Sequence, residues 1–104
     1  MSLQAKILNL IGGITDPSTR MYVASTINYF FSLYSSGHAN EDEIRDALYE
    51  VCLDVVRATY PELTEEEVRK KSRTMVEEFM RAFKLESTMK RMLSRFGGRV
   101  RLPV

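Results

Sequence analysis

The chain has 104 residues, of which 44% are hydrophobic and 28% are charged, a composition typical of a globular protein with one core. This composition argues against a disordered or fibrous protein, and the single cysteine excludes an intramolecular disulfide. We therefore expect a cytoplasmic protein without a signal peptide or a transmembrane span. The net charge of only +1 conceals an uneven distribution of charge along the chain.

The first two helices are predicted from local start and stop signals. Apolar residues spaced three or four apart indicate a helix over about residues 3–11, and a Gly-Gly pair follows it as a stop signal. Asp16 is a candidate N-cap with Pro17 at the first helical position. A second helix should therefore begin there and continue to about Tyr34.

Asn40 is predicted to cap a third helix. Three acidic residues follow it directly and complement the positive end of the helix dipole. Pro61 disfavours helical geometry in the residue before it, so the third helix should end near Tyr60.

Two further helical stretches are expected in the C-terminal half. Thr64 and Glu67 have the spacing of a capping box, which predicts a fourth helix that continues to about Lys84. A fifth helical stretch is expected over about residues 87–96, ended by a second Gly-Gly pair.

These elements predict an all-α fold, a compact bundle of four to five helices. The helices should form a single domain over residues 1–96, followed by a basic C-terminal arm over residues 97–104. The arm alternates basic and apolar residues, so it is expected either to stay extended or to pair as a short strand with another chain.

The second and third helices are each predicted to carry two apolar stripes. A chain of this size needs only one centrally buried helix, so the additional stripes indicate self-association as a homodimer or a higher oligomer. The alternative is that one of the two is simply the central helix and the other is covered by the later helices. The predicted interface residues are Tyr22, Tyr29, Leu33, Tyr49, Leu53, Val56 and Tyr60.

Opposite charges are concentrated in two segments. Residues 40–67 carry ten acidic and two basic side chains, whereas residues 81–104 carry seven basic and one acidic side chain. Part of the acidic segment forms a ladder with helical spacing on one face of the third helix. Three interpretations stay open for this ladder: a solvated face, docking of a neighbouring subunit's basic tail, or a divalent-cation site. The ladder consists of Glu43, Asp46, Glu50 and Asp54.

No catalytic, metal or cofactor motif is recognised in the sequence. The only histidine, His38, lies in a loop, and a lone histidine does not make a metal site. A nucleophilic pair of Cys52 with His38 is conceivable, but Cys52 lies in an apolar helical segment, where a buried and inert thiol is expected. We expect neither enzymatic activity nor a cofactor.

The predicted function is that of a non-enzymatic, oligomeric helical interaction protein. The alternative is a nucleic-acid-binding accessory protein, because clustered arginine beside flexible glycine suits phosphate contacts. An acidic protein surface is a second possible partner for the basic end. The predicted contact residues are Lys90, Arg91, Arg95, Arg99 and Arg101.

Overall fold

The computed structural model of the protein describes residues 2–97, and within this range the chain is helical without strands. The predicted all-α fold is therefore confirmed, with four helices rather than five. They are α1 (Leu3–Ile11), α2 (Pro17–Ser36), α3 (Glu41–Thr59) and α4 (Glu65–Gly97).

Each helix begins where a side chain satisfies its first free backbone amides. The Asp16 carboxylate accepts hydrogen bonds from the backbone N–H of Thr19 at 2.9 Å and from its hydroxyl at 2.6 Å. The predicted capping box of Thr64 and Glu67 is present, with reciprocal bonds of 2.9 and 3.2 Å. Such caps contribute about 1 kcal/mol each, which explains why sequence alone locates the helix starts well.

The separation of a fourth helix from a fifth is wrong. α4 continues without interruption through the predicted break, because residues 84–88 contain neither Pro nor Gly and two of their side chains are held by the bundle. Ser87 is buried, and the Glu86 carboxylate accepts a hydrogen bond from the backbone N–H of Leu3 at 3.4 Å. The start of α1 therefore packs against α4 where the break was predicted.

The core lies where all four helices meet. Its centre is Phe83, which is fully buried and contacts the rings of Phe31, Tyr34 and Phe79 at centroid distances of 5.5 to 6.5 Å. Offset and tilted aromatic pairs of this kind contribute beyond the area that they bury. The core thereby joins α4 to the C-terminal end of α2.

α4 packs against all three other helices, most extensively against α3, and α3 also packs against α2. Two bidentate ion pairs join α3 to α4 at the surface. Arg45 donates to the Glu77 carboxylate at 2.8 and 3.2 Å, and Arg57 donates to Glu65 at 3.2 and 3.0 Å. All four side chains are substantially exposed, so solvent screens both pairs and each contributes little to stability.

α4 is longer than the bundle that it packs against. Its 33 residues correspond to about 50 Å, whereas the 19 residues of α3 correspond to about 28 Å. Its last buried residue is Ser87, and every side chain from Thr88 to Phe96 is exposed. We refer to residues 88–97 as distal α4.

Candidate functional site

Distal α4 carries three of the five predicted contact residues. Lys90, Arg91 and Arg95 are exposed there, and none of them forms an ion pair within residues 2–97. The Arg91 guanidinium makes only a long contact of 3.5 Å, from Nε to the carbonyl of Ser87. Arg99 and Arg101 lie outside the described residues, as does most of the predicted C-terminal arm.

An apolar stripe runs along the same part of α4. Its five large side chains are 48 to 70% exposed, and their spacing places them on one face of the helix. No helix within residues 2–97 covers this stripe. The stripe consists of Leu85, Met89, Met92, Leu93 and Phe96.

The basic side chains flank the stripe. Helical geometry places Arg91 and Arg95 beyond one edge of the stripe and Lys90 beyond the other. The result is an amphipathic helix end with an apolar centre and a basic margin. This pattern does not stabilise the monomer, because no other helix of the described chain buries the apolar stripe.

The predicted interface residues of α2 and α3 are distributed over two environments. Tyr22 and Tyr29 are 70% and 60% exposed and lie on the outer face of α2. Leu53 and Val56 are buried instead, because α4 places Val68 against them in a small apolar cluster. These two side chains belong to the chain's own core and are not on its surface.

The remaining predicted interface residues are partly buried. Tyr49 packs on the apolar clusters of the bundle, and Leu33 packs against the main core. Tyr60 lies beside the small cluster, with the Lys71 ammonium 4.8 Å from its ring centroid. The second stripe of α3 is therefore largely covered by α4, whereas the outer stripe of α2 keeps two exposed tyrosines.

A groove of about 750 Å³ lies between α2 and α3, which we call the α2–α3 groove. Val51, Val55 and Phe30 contribute apolar side chains to it, and Tyr22 stands at its edge. At one end the loop between α1 and α2 closes against Thr59. Sequence reasoning missed this groove, because it arises from the spacing of two helices that periodicity does not determine.

The acidic ladder of α3 is divided by the fold. Glu43 caps its own helix with Asn40, and Asp46 lies near the crossing with α4 beside Arg45 and Arg73. Glu50 and Asp54 line the α2–α3 groove. Neither of these two carboxylates forms an ion pair within residues 2–97.

The arginine beside these two carboxylates is already engaged. Arg57 lies close enough to Glu50 and Asp54 for their charges to raise its pKa, but the largest cause of that rise is its hydrogen bond to Glu65. Its guanidinium makes a bidentate contact with that residue. The α3 rim of the α2–α3 groove, lined by Glu50 and Asp54, therefore carries a net negative charge.

Cys52 is buried in the core, as predicted. Desolvation raises the pKa of its thiol to about 12, so the thiol stays protonated at neutral pH and is a poor nucleophile. His38 is exposed in the loop between α2 and α3, where its Nδ1 lies 2.6 Å from the hydroxyl of Ser36. The structure thus does not join these two residues into a reactive pair.

The described residues contain no cluster of His, Cys, Asp and Glu side chains able to hold a metal ion. Within the same range, no helix combines the length and the apolar character that crossing a bilayer requires. The surfaces that stand out are thus distal α4 and the α2–α3 groove. No protein-family model, no curated protein and no solved structure matches the chain, so these two surfaces are the basis for assigning a function.

Proposed function

We propose that the chain is a non-enzymatic interaction protein that associates with itself through distal α4. The observation that carries the proposal is the apolar stripe of Leu85, Met89, Met92, Leu93 and Phe96, which is exposed on a helix that has left its bundle. Contiguous apolar surface with a polar margin is characteristic of protein interaction sites.

The size of the stripe supports a symmetric assembly. Full burial of one large apolar side chain contributes about 1.5–3 kcal/mol, so covering five half-exposed ones contributes roughly 5 kcal/mol. Association costs about 4–15 kcal/mol in lost freedom of motion, so one stripe alone gives weak binding. A two-fold symmetric dimer buries every contact twice, which gives about 10 kcal/mol and offsets the middle of this range.

Sedimentation velocity over a range of concentrations tests the proposal. We expect the wild-type chain to dimerise and the Leu93→Glu variant to remain monomeric, because a carboxylate in the stripe would be buried without a partner. Ser94→Glu is the matched control, since it adds the same charge to the opposite, polar face of the helix. A wild-type chain that stays monomeric at high micromolar concentration would contradict the proposal.

Nucleic-acid binding is the second candidate function. It is favoured by the exposure of Lys90, Arg91 and Arg95 without ion pairs among the described residues. Binding through these residues would depend steeply on salt concentration, because phosphate contacts release counterions. Fluorescence anisotropy with a labelled oligonucleotide decides the question: Arg91→Glu should abolish binding, whereas Leu93→Glu should leave most of it.

A further inference from the structure

The α2–α3 groove and distal α4 have similar lengths. Distal α4 has ten residues, which span about 15 Å at the rise of an α-helix. Along α3 the groove extends from Ala47 to Ala58, which corresponds to about 17 Å by the same measure. A helix end of this length fills the groove without a large overhang.

The two surfaces are also complementary in character. The groove has an apolar floor that includes Phe30 and Val51, and its α3 rim carries the carboxylates of Glu50 and Asp54. Distal α4 has an apolar stripe between basic margins. Apolar surface then meets apolar surface, and unpaired cations meet unpaired carboxylates.

Distal α4 cannot reach the groove of its own chain while it remains helical. α4 leaves the bundle beyond Ser87, one turn after Phe83, which packs against the C-terminal end of α2. The groove extends toward the opposite end of the bundle, where Thr59 meets Gly13. A continuous helix therefore carries the basic stripe away from the groove, and the docking segment must come from a second molecule.

We propose that distal α4 of one copy docks in the α2–α3 groove of a second copy, and that the second copy reciprocates. This inference rests on the proposed function, since it specifies how the chain associates with itself. Reciprocal docking is the isologous arrangement of a two-fold dimer, in which each contact occurs twice. Arg91 and Arg95, which share one margin of the stripe, then lie beside Glu50 and Asp54 on the α3 rim of the other copy.

The charges favour this arrangement over the packing of two distal α4 segments on each other. Stripe-to-stripe packing brings the basic margins of both copies together, which is a like-charge contact. Groove docking places Arg91 and Arg95 beside carboxylates that form no ion pair among residues 2–97. It also covers the exposed ring of Tyr22 at the groove edge.

A charge-reversal experiment with two full-length variants tests the proposal. One variant carries Glu50→Lys and Asp54→Lys in the groove, and the other carries Arg91→Glu and Arg95→Glu on distal α4. Within either variant alone, groove and helix end have the same sign of charge, so we expect its dimer to be at least about tenfold weaker than wild type. In an equimolar mixture, each groove meets a helix end of opposite charge in both directions, so association should recover.

Sedimentation equilibrium of each variant and of the mixture gives the dissociation constants. The control is Glu62→Lys with Glu66→Lys, which makes the same change in net charge at exposed positions away from the groove. We expect this control to dimerise like wild type, and circular dichroism confirms that each variant is folded. Reciprocal groove docking is supported if the mixture dimerises while each variant by itself does not.

Two other outcomes would overturn the proposal in distinguishable ways. If Leu93→Glu abolishes association but the groove variant dimerises like wild type, the stripe associates elsewhere, and only the docking site is wrong. If the wild-type chain is monomeric, self-association itself is wrong. Carbodiimide cross-linking of mixed isotope-labelled chains of the Arg95→Lys variant adds a direct readout, since it should join the new amine of one copy to Glu50 or Asp54 of the other.

Discussion

The hydroxyl of Ser72 is fully buried in the middle of α4, and its oxygen has no hydrogen-bond partner within the described residues. It lies on the α4 face that also carries the buried residues Val68 and Val76. A buried hydroxyl without a partner costs about 1–3 kcal/mol relative to its hydrated state. This buried oxygen without a hydrogen-bond partner therefore lowers the stability of the core.

Ser72→Ala should therefore raise the free energy of unfolding by about 1 kcal/mol, because it removes the unsatisfied oxygen and improves helix propensity. Chemical denaturation measures this change. Ser25→Ala is the control, since Ser25 is exposed in α2 and its replacement improves propensity alone. Equal effects of the two substitutions would show that the Ser72 hydroxyl carries no penalty.

At the scale of elements, the loop between α1 and α2 depends on a close approach to α3. A Cβ atom on Gly13 would lie 2.6 Å from Cγ2 of Thr59, well inside van der Waals contact. Only glycine therefore allows this loop to close the end of the α2–α3 groove. The second Gly of the pair thus permits tertiary packing in addition to ending a helix.

Gly13→Ala should lower the free energy of unfolding by about 1–3 kcal/mol, because the loop between α1 and α2 would have to move away from Thr59 of α3. Thr59→Ser removes the clashing methyl group, so the double variant should regain most of the lost stability. Thermal denaturation of the single and double variants measures both effects. A Gly13→Ala protein as stable as wild type, or a double variant without recovery, would contradict this account.

Helix starts were predictable because their determinants are local. Asp16, Asn40 and Thr64 each cap a helix through atoms three residues away, so the sequence contains the whole interaction. The continuity of α4 was not predictable in this way. It depends on the burial of Ser87 and on the contact of Glu86 with Leu3 of α1, 83 residues away along the chain.

The ion pairs and the candidate site also depend on contacts between helices that the sequence does not reveal. Glu77 lies one turn before Arg81, but it binds Arg45 of α3 in a bidentate contact. The spacing of apolar residues likewise predicted two apolar stripes on α3, but it did not reveal that α4 covers Leu53 and Val56. The packing of the bundle determines which apolar face remains exposed. The sequence therefore indicated candidate interface residues but could not separate the exposed ones from the buried ones.

For the whole molecule, several carboxylates stabilise the fold only while they are ionised. Hydrogen bonds lower the pKa of Asp16, Glu67 and Glu77, with Thr19, Thr64 and Arg45 as their respective partners. Arg57 likewise lowers the pKa of Glu65. Because these pKa values lie lower in the folded state, the unfolded chain binds protons first as the pH falls.

Stability should thus be fully present above the ordinary carboxylate range and should decline as the pH falls below about 4.5 toward the lowered folded-state pKa values. Glu65→Gln should lower the melting temperature at pH 7, and its difference from wild type should shrink toward pH 3. Melting curves across this range test the claim. Glu62→Gln is a matched control in an exposed turn, and a Glu65→Gln deficit that is independent of pH would refute the assignment.

Distal α4 extends ten residues past the last buried side chain of its helix, so it is already helical when it meets a partner. A helix of ten residues is marginal in water by itself, because its first turn is costly to nucleate. Here the bundle provides the nucleus, so the segment only has to propagate an existing helix, and amide protection should fade gradually from Ser87 toward Gly97. A binding partner consequently encounters a prefolded ligand, and much of the ordering entropy that a disordered tail would lose on binding has already been lost when the bundle folds.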